Sequence, residues 1–125
     1  MKSVRLRSDI WVAAYLRRVA VEGAAAALRR RGAAEAGAIW IKVDRLDGRA
    51  ALYGPAPQSE SGERGIERLW LRAHSQAWVA PEETERRVGR EVAFDPDLWL
   101  VEVEDRDGRC WLDLAEPLAP APRRI

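Results

Sequence analysis

The feature that most constrains this chain is a pattern written twice. Ala38 to Pro57, AIWIKVDRLDGRAALYGPAP, reads as an apolar strand, a turn carrying Asp47-Gly48, a second strand and a proline-punctuated exit. Trp99 to Leu114, WLVEVEDRDGRCWLDL, repeats the plan, so that Val43, Asp47, Gly48 and Arg49 are matched by Val103, Asp107, Gly108 and Arg109. Glycine and aspartate tolerate the positive φ of tight hairpin turns. Two antiparallel hairpins are therefore expected to frame a sheet. A chain of 125 residues has the size of one ordinary domain. The expected organisation is one compact domain over residues 1–115 and a Pro-rich, mobile tail over residues 116–125.

Around this frame the spacing predicts a helix from about Asp9 to Glu22, with Ser8 as its N-cap and Gly23 in the left-handed position that ends it. Val12, Ala13, Leu16, Val19 and Ala20 form one apolar face, Ile10, Ala14 and Val21 a second, and Trp11, Tyr15, Arg18 and Glu22 a third. So few polar positions remain that the helix reads as largely buried. Ala24 to Arg31 is open between helix, favoured by its alanines, and a first strand, favoured by its place before Gly32. Strand is the reading adopted.

Ile39, Ile41 and Val43 alternate onto one face of their strand, leaving Trp40, Lys42 and Asp44 on the other. Ala56 to Gly65 has the composition of an exposed loop. Ile66 to Ala73 reads as a further strand whose Arg68, Trp70 and Arg72 could neighbour Trp40 and Lys42, with a helix covering the rings. Pro81 opens a charged surface helix reaching Ala93, with Glu82–Arg86 and Glu83–Arg87 as i,i+4 pairs. Leu98 to Glu104 is the strand expected to be central. The fold class is thus α+β: a small antiparallel sheet built from two DG hairpins plus one further strand, packed with an N-terminal helix and a charged surface helix.

The charged residues exclude more than they indicate. With 21 basic against 20 acidic residues and a formal charge of +1, no bulk field draws the domain onto nucleic acid or anionic membrane. Arg29, Arg30 and Arg31 alone are read as a solvated segment end. One histidine, His74, and one cysteine, Cys110, exclude a His- or Cys-rich metal site and an internal disulfide. Cys110 reads as a small packed residue. Neither a leader nor a long apolar run is seen. A cytoplasmic protein without cofactor is expected.

The blocks SDIWVAAYLRR, AGAIWIKVDRLDG, LYGPAP and FDPDLWLVEVEDRDGR resemble a small bacterial family of about this length, a domain of unknown function. The resemblance spans Val4 to Asp113. It implies a stand-alone domain, and it implies a strand at Ala24 to Ala27, where family members carry β-branched residues. It implies no activity, cofactor or partner.

Two functional readings follow. The favoured one, by elimination, is a non-catalytic adaptor or accessory protein acting through a protein partner or a homodimer. Its candidate surface is Trp11, Tyr15 and Arg18, placed at the margin of the core where rings and a guanidinium can serve a partner. The alternative is a metal-dependent nucleic-acid enzyme using Asp97, Glu102 and Glu104, because carboxylates at a turn and two apart on a strand can hold Mg²⁺. That pattern fails at one position: Glu104 stands where such sites carry a lysine. Lys42, Arg68 and Arg72 are available to pair the glutamates instead. No catalytic residue and no metal ligand is assigned.

Overall fold

The computed structural model of the chain describes residues 6–57 and 68–115. Its elements are α1 (Ser8–Val21), β1 (Ala25–Arg30), β2 (Ile39–Asp44), β3 (Ala50–Pro55), β4 (Trp70–Arg72), α2 (Pro81–Phe94) and β5 (Trp99–Glu104). The fold is α+β, with one five-stranded sheet in the order β1-β5-β2-β3-β4. The tail at 116–125, most of the expected loop and the expected strand start at Ile66 lie outside the described residues.

The alanine run is a strand. Gly23, at φ 90°, terminates α1, and β1 then runs antiparallel to β5, pairing Ala25 with Glu104 and Leu28 with Val101. A ladder onto a buried neighbour outweighs the helix propensity of alanine.

The first DG hairpin forms as expected. β2 and β3 are antiparallel neighbours, Ile41 opposite Tyr53 and Asp44 opposite Ala50, with Gly48 at φ 85°. The second does not. Gly108 turns the chain at φ 72°, but β5 lies parallel to β2 on one side and antiparallel to β1 on the other. Both its hydrogen-bonding edges are taken, so Arg109 to Leu114 cannot return beside it. That segment crosses to the far edge instead, where Leu114 makes a parallel bridge to Trp70.

Each sheet face carries one helix. On the α1 side, Val12, Tyr15 and Val19 pack over Ile41, Val43, Trp99, Val101 and Val103; on the α2 side, Val88 packs with Leu52, Leu98 and Leu100. Trp40 and Trp70 do not share a face. Tyr53 pairs with both Ile41 and Arg72, and Pro55 with Trp70, so the register sends Trp70 to the α1 side while Trp40 packs on the α2 side. Both rings are covered, by different helices.

α1 is buried along one stripe only, at Ser8, Val12, Tyr15 and Val19, whereas Ile10 is 49% and Val21 78% exposed. The sheet covers one side of the cylinder and water the rest. Ser8 is not the N-cap. The turn before β2 supplies that function through its backbone, since the Ser8 and Asp9 N–H groups donate to the carbonyls of Glu35 and Ala34. The Ser8 hydroxyl, wholly buried, donates to the Gly37 carbonyl at 2.7 Å.

α2 makes neither expected intrahelical pair. Arg87 turns to Glu91 at 2.8 Å and donates to the Ala73 carbonyl. Glu85 reaches off the helix to Lys42 at 2.6 Å and to Arg29 at 2.8 Å. Lys42, 4% exposed, and Arg29 also hold Glu102, so one ionic network joins β1, β2, β5 and α2.

Candidate functional site

A groove of about 360 Å³ runs beside α1, lined among others by Trp11, Tyr15, Arg18, Arg68, Trp70 and Trp111. Its floor is aromatic. Trp11 stacks on Tyr15 with ring centroids 4.9 Å apart and lies 5.0 Å from Trp70. The three expected partner residues therefore converge, but in unequal roles. Tyr15 is not marginal: it is 4% exposed, its hydroxyl donates to the Cys110 carbonyl at 2.7 Å, and burial pushes its pKa upward. Trp11 is half-buried and Arg18 exposed. Arg18 makes no ion pair among the described residues.

The opposite wall is the segment displaced from the second hairpin. Asp105, 7% exposed, accepts from the Arg109 backbone and from both sides of its guanidinium at 2.8 to 3.0 Å. Hydrogen bonding to Arg109 lowers the Asp105 pKa. The clamped guanidinium lies 4.7 Å over the Trp111 ring. Trp111 itself adopts φ 54°, a left-handed backbone that bulky residues rarely take and that costs on the order of 1 kcal/mol or more. Beyond it, Trp70 donates to the Asp113 carbonyl at 3.0 Å and accepts from Ala115 at 2.8 Å. The strap is thus tied to α1, to the Asp107-Gly108 turn and to β4. On the near side Arg68, 9% exposed, donates to the Leu6 carbonyl and the Ser8 hydroxyl.

The acidic alternative does not assemble. Glu102 lies under α2 against Arg29 at 3.1 Å and Lys42 at 3.8 Å. Asp97 is exposed in the turn before β5, and Glu104 is exposed at the strand's far end. No group of three or more His, Cys, Asp or Glu among the described residues is arranged to hold a metal ion. Of the arginines expected to pair the glutamates, Arg68 and Arg72 lie on the other sheet face, Arg72 against Tyr53 at 3.3 Å.

The remaining singled-out residues have structural work. His74 accepts the Leu52 N–H at Nε2 and donates from Nδ1 to the Gln76 carbonyl, at 3.0 and 2.8 Å. This assigns the tautomer and ties the segment after β4 to β3. Burial raises the Cys110 pKa, which disfavours its nucleophilic thiolate form. The arginine run is not a solvated end: Arg29 holds Glu85 and Glu102, Arg30 donates to the Pro96 carbonyl, and Arg31 lies 5.4 Å from the Trp99 ring.

Comparison with known proteins places the chain in a family whose function is not established. The family model described as "Protein of unknown function (DUF1491)" matches residues 6–113. The chain belongs to the DUF1491 family. A crystal structure of a DUF1491 family protein from Caulobacter crescentus CB15 is 35% identical, with a TM-score of 0.73 over 90% of this chain and 100% of that one. The solution structure of a protein from A. tumefaciens is 40% identical, with a TM-score of 0.75 over 93% of this chain and 100% of that one. No curated protein matches the chain. The DUF1491 relationship carries a fold and no activity, so the groove is judged on its own geometry. Arg68, Trp70 and Trp111 are groove residues that sequence reasoning did not bring beside α1; a tryptophan in a failed hairpin arm gives no sign of its positive φ.

Proposed function

We propose that this DUF1491 domain is a non-catalytic protein-binding module of the cytoplasm. Its groove receives an extended segment of a partner protein that presents an apolar or aromatic side chain next to an acidic one. The observation that carries this reading is the convergence of two half-buried indoles, Trp11 and Trp111, over the buried Trp70 in one groove, with Trp111 at φ 54° under a clamped arginine. Strained backbone held by surrounding structure is characteristic of binding sites, and tryptophan, tyrosine and arginine dominate the energetics of interfaces. Charge complementarity selects the partner: Arg18 stands at the groove edge and makes no ion pair among the described residues. Among the described residues no helix is long and apolar enough to cross a membrane.

Selection from a library of short peptides displayed against the domain tests this directly. Sequences pairing an apolar or aromatic residue with Asp or Glu should be enriched on the wild type, and lost on Trp11→Ala and on Arg18→Glu. Arg18→Glu alters an exposed side chain, so its fold is retained even where Trp11→Ala loosens the core. Enrichment of unrelated sequences, or of the same sequences on all three proteins, would contradict the proposal.

A further inference from the structure

The sheet has two edges, and only one is covered by described residues. β4 is flanked by the strap, with its Trp70 backbone satisfied by Asp113 and Ala115. β1, the other edge, has no neighbour on its outer side among the described residues. Soluble proteins ordinarily blunt such an edge with proline, outward charge or a covering segment, because unpaired backbone groups are a template for another chain. β1 lacks the first two over most of its length: Ala24 to Leu28 contains neither proline nor charge. Residues along it alternate between exposed and half-buried. The two arginines at its end do not guard it either, since Arg29 and Arg30 are bonded back onto Glu85, Glu102 and the Pro96 carbonyl.

The distribution of charge along this edge says what fits it. At its start are Glu22 and, across the ladder from Ala25, Glu104. Both are exposed, and neither makes an ion pair among the described residues. At its end is Arg31, also exposed and in no ion pair among the described residues. An antiparallel strand of the same sequence, related by a two-fold axis, sets the acidic start of one copy against the basic end of the other, twice. Beside the ladder, the small side chains of Ala25 and Ala27 leave a recess of about 210 Å³ bounded by Arg29, Glu102 and Glu104, which gives the arriving strand's side chains room. We infer that β1 is a self-complementary docking edge through which two copies of this chain join their sheets, on the side of the molecule opposite β4. The occupant is a second copy because the charge pattern complements itself.

Sedimentation velocity over a range of concentrations tests this with four variants. The wild type shows a reversible monomer–dimer equilibrium that weakens as salt rises. Ala27→Arg places like charges across the two-fold axis and weakens association by about tenfold or more at an unchanged melting temperature. Glu104→Arg weakens it too, and the exchange Glu104→Arg with Arg31→Glu restores it. Trp11→Ala, in the groove, leaves it intact, which separates this inference from the peptide-binding proposal. A wild type that stays monomeric at every concentration overturns the inference. So does a dimer indifferent to both Ala27→Arg and Glu104→Arg, or one that Trp11→Ala alone abolishes.

Discussion

At the scale of single residues, the two DG turns look alike in sequence but differ in what surrounds their glycines. Gly48 and Gly108 both have positive φ, yet a Cβ at Gly48 meets nothing within 4 Å, while one at Gly108 falls 2.6 Å from the Trp78 ring. Gly48→Ala should therefore cost only the left-handed strain, about 1 to 2 kcal/mol. Gly108→Ala should cost more, because the indole has to move as well. Chemical denaturation of both variants checks this, and equal losses would mean that Trp78 gives way freely. Composition could not distinguish the turns, since Trp78 comes from a separate segment of the chain. Ser8 teaches a similar lesson. Its type and position read as a cap, but loop carbonyls from Ala34 and Glu35 arrived first and turned its hydroxyl inward.

At the scale of elements, α1, α2 and the hairpin of β2 and β3 were legible because each is decided locally, by 3.6-residue or two-residue periodicity and by Pro81 or Asp47-Gly48. The return arm after β5 was not legible. Whether Arg109 to Leu114 pairs with β5 depends on whether that strand still has a free edge, and the answer is written in the alanine run before β2 and in the crossover through α2. The face of Trp70 was lost for the same reason, since alternation says that Trp70 and Leu71 point oppositely without saying which meets α1. Two expectations belong here. The clamp on the strap should be visible in amide exchange: Asp105→Ala should release Arg109 and speed exchange at 109–113 while β2 and β5 stay protected, and uniform protection would show that Trp111 is held without it. The ionic network that ties α2 to the sheet should be visible in acid. Hydrogen bonding to Arg29 lowers the Glu85 pKa from its ordinary 4.5 to about 2. The folded form thus binds that proton more weakly than the unfolded chain, so the contribution is full above about pH 4.5 and is lost as pH falls towards 2. The melting temperature of the wild type should drop across that window more steeply than that of Glu85→Gln, as scanning calorimetry would show. Parallel curves would remove Glu85 from acid stability.

At the scale of the whole molecule, the two helices divide the sheet into an ionic side and an aromatic side. Under α2 the charged groups satisfy one another: Lys42, Arg29, Glu85 and Glu102 form one network that engages Glu102, while Asp97 and Glu104 lie exposed outside it. Beside α1 the rings of Tyr15 and Trp70 are buried, those of Trp11 and Trp111 are half-buried along the groove, and Arg18 at its edge makes no ion pair among the described residues. Helical spacing alone put Trp11, Tyr15 and Arg18 on one face of α1, but the groove beside them also needs Trp70 and Trp111, which only the sheet register and the displaced strap bring alongside. The measurement that bears most directly on this division is an NMR titration of the ¹⁵N-labelled domain with a peptide selected on it, repeated on Trp11→Ala. The indole N–H signals of Trp11, Trp70 and Trp111 should shift while those of Trp40 and Trp99 stay still, and Trp11→Ala should bind about tenfold or more weakly at a similar melting temperature. Shifts centred on Trp40 and α2, or equal affinity in Trp11→Ala, would place recognition elsewhere and contradict the groove as the functional site.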